Sequence, residues 1–169
     1  IKNRSNILAK YESIDTGKPI TLAKKVDIPR SVENFNFFAN FSENYDFGSS
    51  IENEFFINSV SKQAIGVVGC ISPWNLPLYL FTWKIAPALV VGNTVLAKPS
   101  EITPLTASKL AEICLDIGLP KGVLNIVNGS GLVAGDLIVK NKNVKAISFT
   151  GGTGTCLLYT SDAADETCR

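Results

Sequence analysis

Histidine is absent from all 169 residues, and that alone narrows the chemistry. Without an imidazole the chain can build neither a Ser-His nor a Cys-His nucleophile pair, and it has no histidine to offer a metal. Net charge is nearly absent too: 16 Lys and Arg against 15 Asp and Glu leave +1. So small a charge gives no electrostatic case for nucleic acid or an anionic membrane as partner. Nor is any apolar run long enough to span a bilayer, since the longest candidate, Leu76 to Val91, is interrupted by Lys84 and Pro87. A signal-peptide pattern is missing, although the chain opens on Ile1 rather than methionine, which leaves room for a missing amino terminus. Cys70, Cys114, Cys156 and Cys168 lack the close paired spacing of a zinc site or a small disulfide framework. Cys70 falls in an apolar strand pattern and Cys114 on an apolar helix face, where cysteine serves as a small hydrophobe. A reducing cytoplasm fits that usage best.

What the chain does have is apolar content, 46% of its residues, enough for one domain that buries roughly 70% of the surface its unfolded chain exposes. The stretch Ile65 to Glu101 organises it. Two short apolar runs, Ile65 to Ile71 and Thr94 to Ala97, flank about a helix's worth of residues, and each ends in a proline-marked polar loop. A crossover of that length predicts two parallel strands joined right-handedly, with both loops at one edge of the sheet. In open parallel sheets that edge is where ligands bind.

Upstream, the pattern predicts the end of a helix over Ile1 to Tyr11. Glu12 to Pro19 (ESIDTGKP) closes it, with Gly17 as the C-terminal cap. A second helix is expected from Asp27 as cap, with Val32, Phe35, Phe38, Ala39 and Ser42 as a core stripe. A turn at Gly48-Ser49-Ser50 should then precede a strand from Glu54 to Ser61. Downstream the alternation repeats: helix Thr103 to Ile117, strand Val123 to Val127, helix Leu132 to Lys140, strand Val144 to Phe149. Strand alternating with helix in this way predicts an α/β fold, a Rossmann-like doubly wound parallel sheet with flanking helices.

Several residues could carry chemistry at the strand ends. Asn75 can donate to an oxyanion without titrating, or simply hold its own turn. Trp74 can line a cleft or cover the core. Lys98 and Glu101 could reach a ribose or phosphate, or form an ordinary solvated loop. Gly129, Gly131 and Gly135 miss the G-x-G-x-x-G spacing by one position, and the Thr150 to Gly154 loop could cradle a pyrophosphate or merely permit a turn. Lys84 is the one charge in an apolar helix; its usual course is to snorkel to the surface, and a proton path is the alternative.

These motifs together resemble the aldehyde dehydrogenase superfamily. GVVGCISPWNLPLYLFTWKIAPALVVGNTVLAKPSEITP, GLPKGVLNIVNGSG and ISFTGG occur in the family's order, and ESIDTGKP is similar to its upstream signature. The likeness covers Lys10 to about Thr155. It implies a cysteine thiolate attacking an aldehyde carbonyl, hydride passing to NAD, and hydrolysis of a thioester with a glutamate base. By position it implies Asn75 as the oxyanion-hole amide and Lys84 as the lysine assigned to proton relay in some members. Ile71 and Trp74 would flank the nicotinamide ribose, and Lys98 and Glu101 would hold the adenosine ribose. Gly129 and Gly131 would lie along the adenine side, and Gly151 with Gly152 would approach the pyrophosphate and nicotinamide. Glu101 further favours NAD over NADP, because a carboxylate near the ribose 2'-position repels an added phosphate. The family often has serine where Gly152 stands, so a hydroxyl contact to phosphate is lost here. None of the four cysteines occupies the nucleophile's motif, so the resemblance implies an incomplete enzyme, inactive by itself.

The expected organisation is 1–155 as the amino-terminal, cofactor-binding part of that fold, with 54–61 as a candidate oligomerisation strand of a dimeric or tetrameric parent. CLLYTSDAADE within 156–169 resembles a translated sequencing adapter, the plainer alternative being a short irregular tail. The run SPWNLPLYLFTWKIAPA is similar to the branch acting on 2-aminomuconic and 2-hydroxymuconic semialdehydes. A small-molecule aldehyde is then the implied substrate. The competing readings are a non-catalytic protein of the same fold, kept for binding or structure, and an unrelated doubly wound nucleotide binder.

Overall fold

The computed structural model describes residues 1–155, so the expectation for 156–169 lies outside the described residues. The chain opens with α1 (Ser5–Thr16), α2 (Ile20–Leu22) and α3 (Ile28–Glu43). Helix α1 runs five residues beyond the expected end and stops where Gly17 takes φ 72°, its N–H donating to Ser13 O. Such a left-handed position favours glycine because it has no Cβ to clash.

Asp27 does not cap α3. It is the last residue of a wide helical turn at Ala23–Asp27 and is itself helical, and its carboxylate takes the Lys18 ammonium at 2.9 Å instead. The buried face of α3 is also rotated from the expected stripe. Ile28, Ser31 and Asn34 are buried, while Ala39 is exposed and Val32, Phe35, Phe38 and Ser42 are half-buried. The physical reason is a polar contact that apolar periodicity does not count: Asn34 donates to Tyr79 O at 2.9 Å and to Thr82 Oγ1 at 2.8 Å.

Next come β1 (Gly48–Glu52) and β2 (Ile57–Ser61), paired antiparallel. The expected turn at Gly48 to Ser50 is therefore part of a strand. The turn falls at Asn53, whose Oδ1 accepts the N–H groups of Phe55 and Phe56. Every residue of both strands is exposed, so neither shows the in-out alternation that reveals a half-buried strand.

The rest alternates: β3 (Val67–Ile71), α4 (Pro77–Val90), β4 (Thr94–Lys98), α5 (Leu105–Asp116), β5 (Leu124–Ile126), α6 (Asp136–Lys140) and β6 (Val144–Phe149). The last helix is shorter than expected, because Gly131–Gly135 forms a wide helical turn before it. The four strands pair in parallel in the order β5-β4-β3-β6. From β3 the chain moves outward to β4 and β5, then returns to place β6 on the other side of β3. The sheet thus has its switch point between β3 and β6, where crossovers leave in opposite directions and open a crevice.

Leu78, Phe81 and Ile85 of α4 and Leu110 of α5 fill the core against Val68, Cys70, Val95 and Ala97, with Leu8 of α1 and Ile28 of α3 behind them. On the other face Gly69 lets Ile138 and Ile147 come close: a Cβ there would sit 2.8 Å from Ile138 Cγ2 and 2.6 Å from Ile147 Cδ1. Helices lie on both faces, α4 and α5 on one and the short α6 on the other, the arrangement of a doubly wound sheet. Among the described residues no helix is long and apolar enough to cross a membrane.

Candidate functional site

Parallel strands deliver their trailing loops to one edge, and the backbone bonds at that edge hold the loops together. Ser72 N donates to Lys98 O at 3.1 Å, Val127 N to Ala97 O at 2.9 Å and Thr150 N to Ile71 O at 3.1 Å. Between these loops lies a cleft of about 500 Å³, lined by Ile71 to Asn75, Lys98, Ser100, Glu101 and Phe149 to Gly152. It therefore joins Ile71, Trp74, Asn75, Lys98, Glu101, Gly151 and Gly152, seven of the ten residues singled out from sequence, at the β3/β6 switch point. A larger hollow, about 750 Å³ beside Ile1 to Arg4, contains none of the ten.

Lys98 is not a solvated loop lysine. Its residue is only 2% exposed, and its ammonium donates to Pro99 O at 3.1 Å and to Glu101 Oε2 at 3.2 Å. Glu101 is exposed, and its carboxyl is held below the usual carboxylate range. The chief cause is a hydrogen bond from its own backbone amide, with the Lys98 ammonium and the Gly131 N–H adding to it. The Gly129 to Gly135 loop thereby packs on the Lys98–Glu101 pair without being among the cleft's lining residues; a Cβ at Gly135 would touch Lys98 Cδ at 3.9 Å.

Trp74 is 59% exposed and presents a ring to the cleft, so it does not cover the core. Asn75 is exposed, and among the described residues its amide makes no hydrogen bond back to its own turn.

Lys84 stands apart. It faces a separate hollow whose only residue in common with the cleft is Thr150. It does not snorkel: at 8% exposure it stays buried, its Nζ donating to Ser148 Oγ at 3.3 Å. Burial pushes its pKa down, with nearby Cys70 partly opposing. Cys70 is buried and pushed up to about 11, chiefly by burial, and burial also raises the Cys114 thiol. Both thiols stay protonated near neutrality, so neither is a ready nucleophile.

The cleft suits a dinucleotide on its own terms. Ser72 Oγ is buried in its wall with no hydrogen-bond partner among the described residues, an unmet polar group of the kind a ligand completes. Gly151 must be bare, because a Cβ there would run into the Phe149 ring, whereas Gly152 has open space around it. Backbone N–H groups left accessible by glycine at a strand end favour an anion. Sequence reasoning placed Ser72 at this edge but gave it no role. No signal in the chain says that its hydroxyl is left without a partner.

Comparison with known proteins agrees with this geometry. The aldehyde dehydrogenase family matches over residues 1–168. A 2-aminomuconic semialdehyde dehydrogenase of Danio rerio is 48% identical over 165 residues, covering 97% of this chain and 34% of that protein. A 5-carboxymethyl-2-hydroxymuconate semialdehyde dehydrogenase of Escherichia coli is 45% identical over 148 residues, covering 88% and 32%. The NAD+ complex of an aldehyde dehydrogenase from Bacillus cereus superposes with a TM-score of 0.92 at 34% identity, covering 99% of this chain and 34% of that one. The chain spans about a third of the length of the curated relatives it matches.

Proposed function

Because the chain belongs to the aldehyde dehydrogenase family, we propose that residues 1–155 build the NAD cleft of an enzyme that oxidises an aldehyde to a carboxylate, a muconic semialdehyde being the substrate class. The observation that carries the reading is the convergence of Trp74–Asn75, Lys98–Glu101 and Gly151–Gly152 on one crevice at the switch point. Relatives named for aminomuconic and hydroxymuconic semialdehydes support the substrate class.

In this reading Lys98 and Glu101 hold the adenosine ribose, the lysine as donor and the carboxylate as acceptor. Gly129 and Gly131 lie along the adenine. Gly151 and Gly152 offer backbone amides to the pyrophosphate, and Ile71 with Trp74 flanks the nicotinamide ribose. NAD held by these residues would supply the acceptor for the hydride of the aldehyde carbon. Asn75 donates its amide N–H to the oxygen on which negative charge develops, a stabilisation that needs no titration. Lys84 enters only as a proton carrier, holding a proton against Ser148 Oγ two residues before Thr150 at the cleft wall. With Cys70 and Cys114 buried and protonated, neither is placed to attack an aldehyde, and residues 1–155 alone should turn over none.

Two further assignments belong to this proposal. The β1/β2 ribbon, with Ile51, Phe55, Phe56, Ile57 and Val60 exposed, is the surface through which dimers or tetramers of the whole protein would form. The compartment is the cytoplasm, in keeping with two free, buried thiols.

The test is a titration of the chain with NAD, read by tryptophan fluorescence. Replacing Trp83 by Phe leaves Trp74, at the cleft, as the only reporter of the two tryptophans. Saturable quenching by NAD, weaker with NADP, is expected. No saturable change would overturn the cofactor reading, and equal response to NADP would overturn the preference attributed to Glu101.

A further inference from the structure

Both helices that leave the cleft lack a cap of their own. Helix α4 follows Leu76 and α5 follows Pro104, and neither residue makes a side-chain cap bond. Proline at position 77 has no N–H, so the first amide free to be capped is that of Leu78 in α4; in α5 it is that of Leu105. Each finds a carboxylate on α1. Leu78 N donates to Glu12 Oε2 at 3.4 Å across 66 residues of chain, and Leu105 N donates to Asp15 Oδ2 at 2.8 Å across 90. Glu12 and Asp15 are three residues apart on a helix, which puts both carboxylates on one side of α1.

The rest of ESIDTGKP braces those two groups. Thr16 Oγ1 donates to Glu12 O at 2.6 Å, and Ser13 Oγ donates to Lys18 O at 2.7 Å. The left-handed turn at Gly17 folds the chain back, so that the Lys18 ammonium sits 3.6 Å from Glu12 Oε1 and 2.9 Å from Asp27 Oδ2. Glu12 is fully buried. An unpaired charge in that position would be costly, and Lys18 is the countercharge that makes it tolerable.

We infer that α1 is a positioning element of the cleft: Glu12 and Asp15, by holding the first free amides of α4 and α5, set the loops 72–76 and 99–104 that carry Trp74, Asn75 and Glu101. The capping geometry stands by itself; its consequence for a dinucleotide rests on the NAD reading above. Glu12 and Asp15 touch no ligand and act only through the two helices. Local sequence could not reveal this, because each carboxylate and its partner amide lie far apart along the chain.

The experiment compares Asp15→Ala, Asp15→Asn and Glu12→Gln in the full 169-residue chain by amide hydrogen exchange, urea unfolding and NAD titration. Asp15→Ala should speed exchange across 99–106 and weaken NAD by about threefold to tenfold, the scale of a lost charged cap. Asp15→Asn keeps an acceptor oxygen and should restore most of both. Glu12→Gln should speed exchange across 72–80. Its buried site makes it the variant at risk of misfolding, and Asp15 decides the matter if it does. Unchanged exchange at 99–106 in Asp15→Ala would overturn the clamp. Faster exchange and lower stability with unaltered NAD affinity would reduce α1 to scaffolding and overturn the positioning role. If the unmodified chain binds no NAD, the functional reading falls, while exchange still decides whether α1 holds both helix starts.

Discussion

At Gly69 the sheet packs closely against Ile138 of α6 and against Ile147 and Val144 of β6, and Gly69→Ala tests that packing with a single methyl. The added carbon would lie 2.6 Å from Ile147 Cδ1, 2.8 Å from Ile138 Cγ2 and 3.2 Å from Val144 Cγ1. Two of these contacts are tighter than real carbon pairs allow. Ile147 is half exposed at its strand edge and its terminal carbon can swing aside. Ile138 is buried, and the clashing atoms of Ile138 and Val144 sit on β-branched carbons with little rotameric freedom. Overpacking of this kind costs about 1–3 kcal/mol. Replacing a strand glycine returns about 0.5–1 kcal/mol by restricting the unfolded chain. The net expectation is a loss of about 1–2 kcal/mol, with the clash outweighing the entropy. With an m-value of about 2 kcal/mol per M, the urea midpoint should fall by roughly 0.5–1 M. Gly152→Ala, placed where a Cβ meets nothing within 4 Å, is the matched control: with no clash to offset the entropy term it should leave stability unchanged or raise it by up to about 1 kcal/mol. A midpoint for Gly69→Ala that equals or exceeds the parent's would refute the argument, since it would mean that α6 and β6 can move off β3 without penalty.

Two other perturbations bear on the site. Gly152→Ser fits the open space at that position and supplies a hydroxyl donor beside the proposed pyrophosphate. NAD affinity should rise by about threefold to tenfold, the range of one ordinary net hydrogen bond, and an unchanged titration would place the phosphates elsewhere. Lys84→Met addresses the buried ammonium. The folded pKa of Lys84 is depressed below 10.5 by burial, so between its folded and unfolded values the unfolded chain binds more protons and stability rises with pH. The buried Cys70 and Cys114 thiols, raised by burial, pull the other way at the alkaline end, so the readout is the difference: from neutral pH to pH 10 the slope of stability against pH should be less positive in Lys84→Met than in the parent. Identical pH slopes would mean that Lys84 reaches solvent.

How much of this was readable in the chain depends on whether the signal was local. The strands β3, β4 and β6 were legible to within two residues: β3 and β4 are mostly buried and read as short apolar runs, whereas β6, half-buried with Lys145 and Ile147 exposed, is marked by its alternation. The shared edge for Ser72 to Asn75 and Pro99 to Glu101 then followed from the parallel crossover. The β1/β2 ribbon was half missed, since strands exposed on both faces carry no alternation. The face of α3 was misjudged because Asn34 and Ser31 are buried by hydrogen bonds to neighbours rather than by hydrophobicity.

At the candidate site, the amino-acid order by itself determined which loops hold tryptophan, asparagine, lysine, glutamate and glycine, and that parallel strands would send them to one side. Tertiary structure alone decided their state. Only there is Lys98 enclosed with Glu101, Lys84 withdrawn behind the sheet to Ser148, and Ser72 left without a partner. Only there do Glu12 and Asp15 meet the amides of Leu78 and Leu105. The division has a physical cause: periodicity and turn chemistry act over a few residues, whereas burial, desolvation and capping from a distant helix depend on groups brought together across many tens of residues.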